Sequence, residues 1–282
     1  MRFVATLLFW LVTTALLAVA IPASWAQKNV VSEDGYAALA AAAAKNPRLQ
    51  EAMASELTTQ ITALAADNGY RLNNTELVRG VTSAYTANPG FPGQFAQANR
   101  IAHRWMFTDT VQHDQGDRWL VDIAPMLRDE SLRQTLGNLK LDVPDTLTVP
   151  ITVPESSALR PGQLKVLSTW GPLASIGACV LTGVFALLTL ATARSRGKAL
   201  AALGVSALLV GAAGWAGLEM GRRYIDDALN RTTGDMRQVA DVMVNTAEAS
   251  AHQWLNLTLA AGGLLVFLGI LAAMLGGLRR GE

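Results

Sequence analysis

Residues 172–193 read PLASIGACVLTGVFALLTLATA, and RSRGK follows at residues 194–198. The first of these segments contains no charged residue and no histidine. A helix that crosses a bilayer needs about 20 predominantly apolar residues, and a water-soluble helix of that length would show a polar stripe. Because this segment is apolar on every face, it is predicted to be a membrane-spanning helix.

Three other segments have a similar length and composition: Phe3–Ala23, Ala199–Leu218 and Leu255–Leu278. The whole chain is 51% hydrophobic and 16% charged, whereas soluble domains carry about 25% charged residues. The four segments therefore predict a membrane α-helical bundle of four spans. The predicted partner of these spans is the lipid bilayer. The predicted organisation is an anchor or signal peptide, a polar domain and a three-span membrane domain, at residues 1–26, 27–170 and 171–282.

Basic residues in the short loops predict the orientation of the spans, since such loops are basic on the cytoplasmic side. The RSRGK loop at residues 194–198 and the arginine pair at residues 279–280 both carry this signal. In contrast, residues 27–170 hold 13 basic and 15 acidic residues. The polar domain and the loop of residues 219–254 are therefore predicted to be extracytoplasmic, in a multi-pass protein of the plasma membrane.

Three tryptophan residues agree with this orientation. Trp25, Trp170 and Trp254 each lie at the predicted outer end of a span. Indole rings are enriched at membrane interfaces because they are apolar on one side and donate a hydrogen bond on the other. The outer interface is therefore predicted to lie near these three residues.

The first apolar segment has two interpretations. A short basic start and a long apolar run also describe a signal peptide, for which Ser24-Trp25-Ala26 offers a cleavage site. The apolar run is longer than the 7–15 residues of an ordinary signal-peptide core, which favours a retained anchor. Either outcome leaves the polar domain on the same side of the membrane.

The third and fourth spans are rich in glycine, which lets the backbones of two membrane helices approach closely. The third holds Gly204, Gly211, Gly214 and Gly217, and Gly217 forms a small-xxx-small pair with Gly221. Packing within one bundle is the simpler interpretation of these glycines. Contact between copies of the chain is the alternative, and spacing alone does not separate the two.

The first half of the polar domain is predicted to be helical. Its apolar residues recur at helical spacing, and Asn-Pro, Asn-Gly and Asn-Pro-Gly sequences separate the segments. Two more helices are predicted in the loop of residues 219–254. The predicted helices cover Ala37–Lys45 and Arg48–Asp67, start at Asn74 and at Pro92, and flank Gly234.

The second half of the domain has a residue pattern typical of strands and turns. Thr108–Gln112 and Arg118–Ile123 flank the turn-like Asp114-Gln115-Gly116, which predicts a β-hairpin. A short helix is predicted from Pro125 to Gly137. Leu147–Val153 alternates like a strand, but Pro150 restricts it to a sheet edge. The predicted class is therefore a mostly helical α+β extracytoplasmic domain on a four-span bundle.

Several motifs resemble a family of actinobacterial integral membrane proteins. They are Trp25-Ala26, VVSEDGY at residues 30–36, NPRLQ at residues 46–50, ANRIAH at residues 98–103 and VDIAP at residues 121–125. The family shares an N-terminal anchor, an extracytoplasmic domain with an Asn-Arg-x-Ala-His motif and three C-terminal spans. The resemblance covers nearly the whole chain. It implies a topology and a fold, but no reaction, because the family has no assigned activity.

One polar cluster is the candidate binding site. Asn99 and His103 are four residues apart on a helix and share a face, and Arg100 lies beside them. Such a cluster suits an anionic headgroup or a carboxylate of a partner. The alternative is structural: Asn99 caps a neighbouring backbone segment, Arg100 pairs with a carboxylate such as Asp122, and His103 is an ordinary core or surface residue.

Catalytic and metal-binding signatures are absent from the sequence. A zinc site needs three or four ligands at recognisable spacing, but the three histidines and the single Cys179 show no such spacing. The carboxylates around residues 114–130 resemble turn and helix-start residues rather than a catalytic pair. No nucleotide-binding or serine-hydrolase motif is present. The sequence therefore predicts no enzymatic activity, no metal and no cofactor.

Three functional hypotheses follow from these observations. The first is a non-enzymatic protein of the cell envelope, with an outer domain that binds an envelope protein, a membrane protein or a lipid. The second is a sensor or regulatory subunit that acts through a partner, since only short segments face the cytoplasm. The third is a membrane-bound hydrolase. A net charge of +1 argues against nucleic acid as a partner.

Overall fold

The computed structural model describes residues 2–67, 74–108, 119–122, 148–151, 162, 164–230 and 234–278. Helices dominate these residues. In chain order the elements are α1 (Arg2–Ala26), α2 (Glu33–Ala43), α3 (Pro47–Asp67), α4 (Thr75–Thr86), α5 (Phe91–Phe107), β1 (Trp119–Asp122), β2 (Thr148–Ile151), α6 (Lys165–Thr192), α7 (Arg196–Leu229) and α8 (Gly234–Leu278).

Four of the described helical segments are long and apolar enough to cross a membrane. They are Arg2–Val31, Lys165–Thr192, Arg196–Leu229 and Gly234–Leu275. The predicted class, a helical multi-pass membrane protein, is thus confirmed by the length and composition of the helices.

The helices extend beyond the predicted spans. At about 1.5 Å per residue, α7 is roughly 51 Å long and α8 roughly 67 Å, because they contain 34 and 45 residues. Both exceed a hydrocarbon core of about 30 Å. The prediction of two helices on either side of Gly234 is confirmed, and Gly234 has the positive φ of 68° that glycine adopts without strain.

The chain divides into two compact units. The membrane unit comprises residues 1–30, 168–224 and 248–282, and the polar unit comprises residues 31–167 and 225–247. Because α7 and α8 each cross a division point, both helices contribute residues to both units.

The polar unit has its own hydrophobic core. Leu49 and Leu57 of α3, Tyr85 of α4 and Phe91 of α5 are at most 2% exposed. The segment of α8 in this unit adds Val239 to the same cluster. Apolar burial of this kind is the main favourable term in folding, so the loop before the last span is part of the polar unit's core.

Short polar side chains start the helices of this unit, as the sequence indicates. The Ser32 side chain accepts a hydrogen bond from the Gly35 backbone N–H, and Asn74 accepts one from Leu77. These bonds satisfy backbone donors that the first turn of a helix leaves unpaired. α3 begins at Pro47, a position at which proline costs no hydrogen bond.

The strands differ from the predicted hairpin. β1 pairs antiparallel with β2, with Trp119 opposite Ile151 and Asp122 opposite Thr148. The described partner of β1 is thus a distant segment, and the predicted hairpin stays a prediction. Most of the predicted first hairpin strand, and the predicted helix from Pro125, lie outside the described residues. Two four-residue strands do not support the α+β class, so the described polar unit is helical.

Glycines of α7 and α8 bring the two helices into backbone contact. A Cβ atom added at Gly204 would lie 2.6 Å from the Val266 backbone nitrogen, and one at Gly269 would lie 2.4 Å from the Ala201 nitrogen. The predicted packing within one bundle is confirmed for these glycines. Gly217 and Gly221 have no atom within 4 Å of an added Cβ, so contact between copies stays a prediction for that pair.

Side-chain hydrogen bonds connect α1 to the other helices of the membrane unit. The Trp10 indole donates to the Ala202 carbonyl at 2.9 Å, and the Thr14 and Ser206 hydroxyls are 2.7 Å apart. α1 runs through Ala26 and continues as a π-helical turn at Gln27–Val31. Whether the first segment is cleaved stays a prediction.

Candidate functional site

The predicted cluster lies on α5, which packs against α2 in the polar unit. The helical spacing places Asn99 and His103 one turn apart, as the sequence predicts, and the two residues differ in exposure. His103 is 4% exposed, whereas Asn99 and Arg100 are half-buried. The cluster therefore has a core side and a surface side.

The Asn99 side chain is engaged with its own helix. Its Nδ2 donates to the Phe95 carbonyl oxygen at 2.9 Å, one turn earlier in α5. The described bond of Asn99 therefore lies within its own helix, and capping of a neighbouring segment stays a prediction. A side-chain bond of this kind satisfies the amide locally.

Arg100 lies in a charged group that we call the α2–α5 charge cluster, formed by Glu33, Asp34, Arg100 and Arg104. The Arg100 Nη1 lies 2.5 Å from Asp34 Oδ1 and 3.7 Å from Glu33 Oε1, and the Arg104 Nη1 lies 3.4 Å from Glu33 Oε1. The hydrogen bond to Asp34 raises the pKa of Arg100 above its ordinary value. The four formal charges cancel, so the cluster is not a preformed site for an anion.

The structural interpretation has Arg100 pair with a carboxylate of the domain such as Asp122, and the described partners of Arg100 are the two carboxylates of α2. Asp122 is the last residue of β1, but its side chain is not among the features that the structure describes. Arg100 and Asp34 are 66 residues apart in the chain.

His103 lies among aromatic rings. Its imidazole stacks on the Phe107 ring with centroids 4.2 Å apart, and the Tyr36 ring lies 5.3 Å away. Burial raises the pKa of Tyr36 above its ordinary value of 10.0, because an ionised phenolate would lose its hydration. A buried imidazole stacked in this way is in a poor position to contact an external ligand.

The sequence reasoning did not single out Glu33, Asp34, Tyr36 and Arg104 as site residues. A local signal for the first two was present, since acidic residues after Ser32 are typical of a helix start. Their pairing with α5 has no local signal, because it depends on the packing of two helices that are distant in sequence.

No group of three or more potential metal ligands occurs within the residues that the structure describes. Comparison with known proteins adds no assignment, since no family model, curated protein or solved structure matches the chain.

Replacement of Arg100 by alanine is expected to have a small effect. Exposed ion pairs contribute little to stability, so the free energy of unfolding should fall only slightly. Thermal unfolding of the full chain in detergent, at low and at high salt, measures the change. Because salt screens exposed pairs, the difference between Arg100→Ala and the wild type should shrink at high salt. A larger difference at high salt would contradict this interpretation.

Tyr36 should make the protein sensitive to alkali. Well below pH 10.0, the ordinary pKa of the phenol, Tyr36 is protonated in both the folded and the unfolded state. As the pH rises further, the unfolded chain loses this proton before the folded chain does, so the free energy of unfolding falls. Tyr36→Phe should reduce the slope of stability against pH in this range. Equal slopes in the two proteins, measured by thermal unfolding, would contradict the expectation.

Proposed function

We propose that this chain is a non-enzymatic integral membrane protein of the actinobacterial cell envelope, and that its extracytoplasmic polar unit binds another envelope protein. The observation that supports the proposal is a helical unit with its own buried core, joined by continuous helices to a four-helix membrane unit. Such a chain carries a folded surface that is anchored to the membrane.

A protein partner suits the surface of the polar unit better than an anionic lipid does. The α2–α5 charge cluster presents both signs, and the Asp34 side chain is 87% exposed. Recognition of anionic lipids uses clusters of Lys and Arg without neighbouring carboxylates, whereas mixed charges give orientation and specificity between proteins.

Site-specific photo-crosslinking in intact cells tests the partner. A photoreactive amino acid at position 34 should give one discrete heteromeric product, which Arg100→Glu should weaken because it changes the charge pattern of the cluster. The same probe at the exposed residue Ser83, on α4, serves as the control. Recovery of only the bare protein from position 34, or equal products from both positions, would overturn the proposal.

The proposed orientation has a separate test that uses the single cysteine. In a Cys179→Ser background, Ser83→Cys should react with a membrane-impermeant maleimide in intact cells. Ser195→Cys, in the basic loop between α6 and α7, should react only after the membrane is permeabilised. The reverse pattern would place the polar unit in the cytoplasm.

A regulatory subunit is the second candidate, and the continuity of α8 favours it. Val239 of this helix lies in the core of the polar unit, whereas Gly262 packs against α7 in the membrane unit. One helix with two packing environments offers a physical connection for a signal. Loss of a partner's response after deletion of residues 279–282, with partner binding retained, would favour this candidate.

The hydrolase hypothesis has less support. It needs His103 or nearby carboxylates to line an accessible pocket, and His103 is buried against Phe107 and Tyr36.

A further inference from the structure

A half-open cavity of about 550 Å³ lies between helices of the membrane unit. Its walls run from Thr14 to Trp25 of α1, from Leu209 to Leu218 of α7 and from Ala251 to Leu255 of α8. The volume is within the range of about 300–1,000 Å³ that small-molecule sites occupy. The cavity is therefore large enough to hold part of a ligand.

The walls present almost no free polar group. Thr14 carries a hydroxyl, but it donates to the Trp10 carbonyl at 2.9 Å or pairs with Ser206 at 2.7 Å. The Trp25 indole N–H donates to the Ser250 hydroxyl at 3.3 Å. A stable buried water needs two to four polar partners, so the occupant that suits these walls is apolar.

The length of the cavity matches one leaflet of a bilayer. Thr14 and Trp25 are eleven residues apart in α1, which corresponds to about 16 Å along the helix. Half of a hydrocarbon core is about 15 Å. Thr14 lies near the middle of the apolar segment Phe3–Ala23, and Trp25 lies just beyond its end, so the cavity extends from the middle of the span to one interface.

A basic residue lies next to the interfacial end of the cavity. The exposed Lys28 places its ammonium group 5.7 Å from the centroid of the Trp254 ring, and this ring lines the cavity. None of the ion pairs between described residues uses Lys28. An anionic headgroup would complement the Lys28 ammonium.

We propose that the membrane unit binds one anionic phospholipid, with an acyl chain in the cavity and the phosphate at Lys28. This site is independent of the proposed protein partner of the polar unit. Three features point to the same class of ligand: the apolar walls, the length of one leaflet and the charge of Lys28, which no ion pair between described residues neutralises.

Phosphatidylglycerol is the probe for the test. The full chain is reconstituted in vesicles of equal parts phosphatidylcholine and phosphatidylglycerol, extracted in mild detergent, and analysed by native mass spectrometry for retained lipid. The wild type should retain one phosphatidylglycerol molecule per chain. Lys28→Gln should still retain a lipid, but its preference for phosphatidylglycerol should fall about fivefold.

A matched pair of glycine variants tests the cavity itself. Gly217 lines the cavity, and Gly183 of α6 does not, while an added Cβ meets no atom within 4 Å at either position. Gly217→Leu should abolish retention, whereas Gly183→Leu should retain the lipid as the wild type does. Equal retention by the two variants would overturn the proposal. A dimer that only Gly217→Leu dissociates would also overturn it, because a second copy would then be the occupant.

Discussion

Gly204→Val is expected to destabilise the membrane unit by about 3 kcal/mol or more. A Cβ atom at this position would lie 2.6 Å from the Val266 backbone nitrogen and 2.7 Å from the Gly262 carbonyl oxygen. Both are backbone atoms of α8 and cannot rotate away, so α7 and α8 would have to separate. Valine is more apolar than glycine, so insertion into the membrane should not suffer.

Gly263→Val is the control for this prediction. It lies on α8, next to Gly262, and an added Cβ there has no atom within 4 Å. Its stability should stay within about 0.5 kcal/mol of the wild type. Unfolding of the full chain by increasing amounts of a denaturing detergent, followed by tryptophan fluorescence, compares the two. If both variants unfold like the wild type, α7 and α8 do not pack through these glycines.

The glycine contacts follow a regular register. Gly197 and Gly204 of α7 lie opposite Gly269 and Gly262 of α8, so the contacts recur seven residues apart on both helices. Residues that recur every seven positions stay on one face of a helix, so they can contact the same partner helix along its length. The glycine content of the two spans predicted close helix packing. It did not show which glycines contact a partner helix, because Gly217 and Gly263 lie in the same glycine-rich spans and have no atom within 4 Å of an added Cβ.

The spans were predictable because the physical signal is strong and local. A segment such as residues 172–193 has no charge, and few soluble structures tolerate such a helix. The ends of the helices were less predictable. α6 begins at Lys165 and contains Pro172, at which the prediction had placed the start of the span. The membrane determines which residues must be apolar, whereas caps and tertiary packing determine where a helix stops.

The strand that pairs with β1 could not be predicted from the neighbouring sequence. Asp114-Gln115-Gly116 resembles a hairpin turn, and this signal favoured pairing with the segment just before it. The described partner is Thr148–Ile151, a pairing that the turn signal did not indicate, and the predicted hairpin strand at residues 109–112 lies outside the described residues. Strand pairing depends on which edges the packed structure brings together, and that information is distributed over the chain.

The candidate site was predictable only in part. Helical spacing correctly brought Asn99 and His103 to neighbouring turns of one helix. It did not distinguish the buried face from the exposed face, since α5 carries polar residues on both. The stacking of His103 on Phe107 could have been predicted, because the two residues are four apart on one helix. The pairing of Arg100 with Asp34 could not have been predicted from spacing, because it depends on where α2 packs relative to α5.

Phe91→Ala is expected to destabilise the polar unit by about 3–5 kcal/mol. Phe91 is 1% exposed, and its ring lies 5.7 Å from Tyr85 in an edge-to-face geometry and 5.8 Å from Phe95. Truncation would remove these contacts and leave a cavity in the core. A domain of this type has a total stability of about 5–15 kcal/mol, so the variant loses a large part of it.

Two control variants show whether the effect of Phe91→Ala comes from lost core packing or from substitution as such. Phe91→Leu keeps most of the side-chain volume and should cost less than about 1.5 kcal/mol. Leu77→Ala, at a residue 49% exposed, should cost less than about 0.5 kcal/mol. Hydrogen exchange of the full chain in detergent should show lost protection in α2 to α5 for Phe91→Ala. The spans should stay protected, because the packing of α7 against α8 in the membrane unit does not involve Phe91. Unchanged protection of α2 to α5 would mean that Phe91 does not hold this core together.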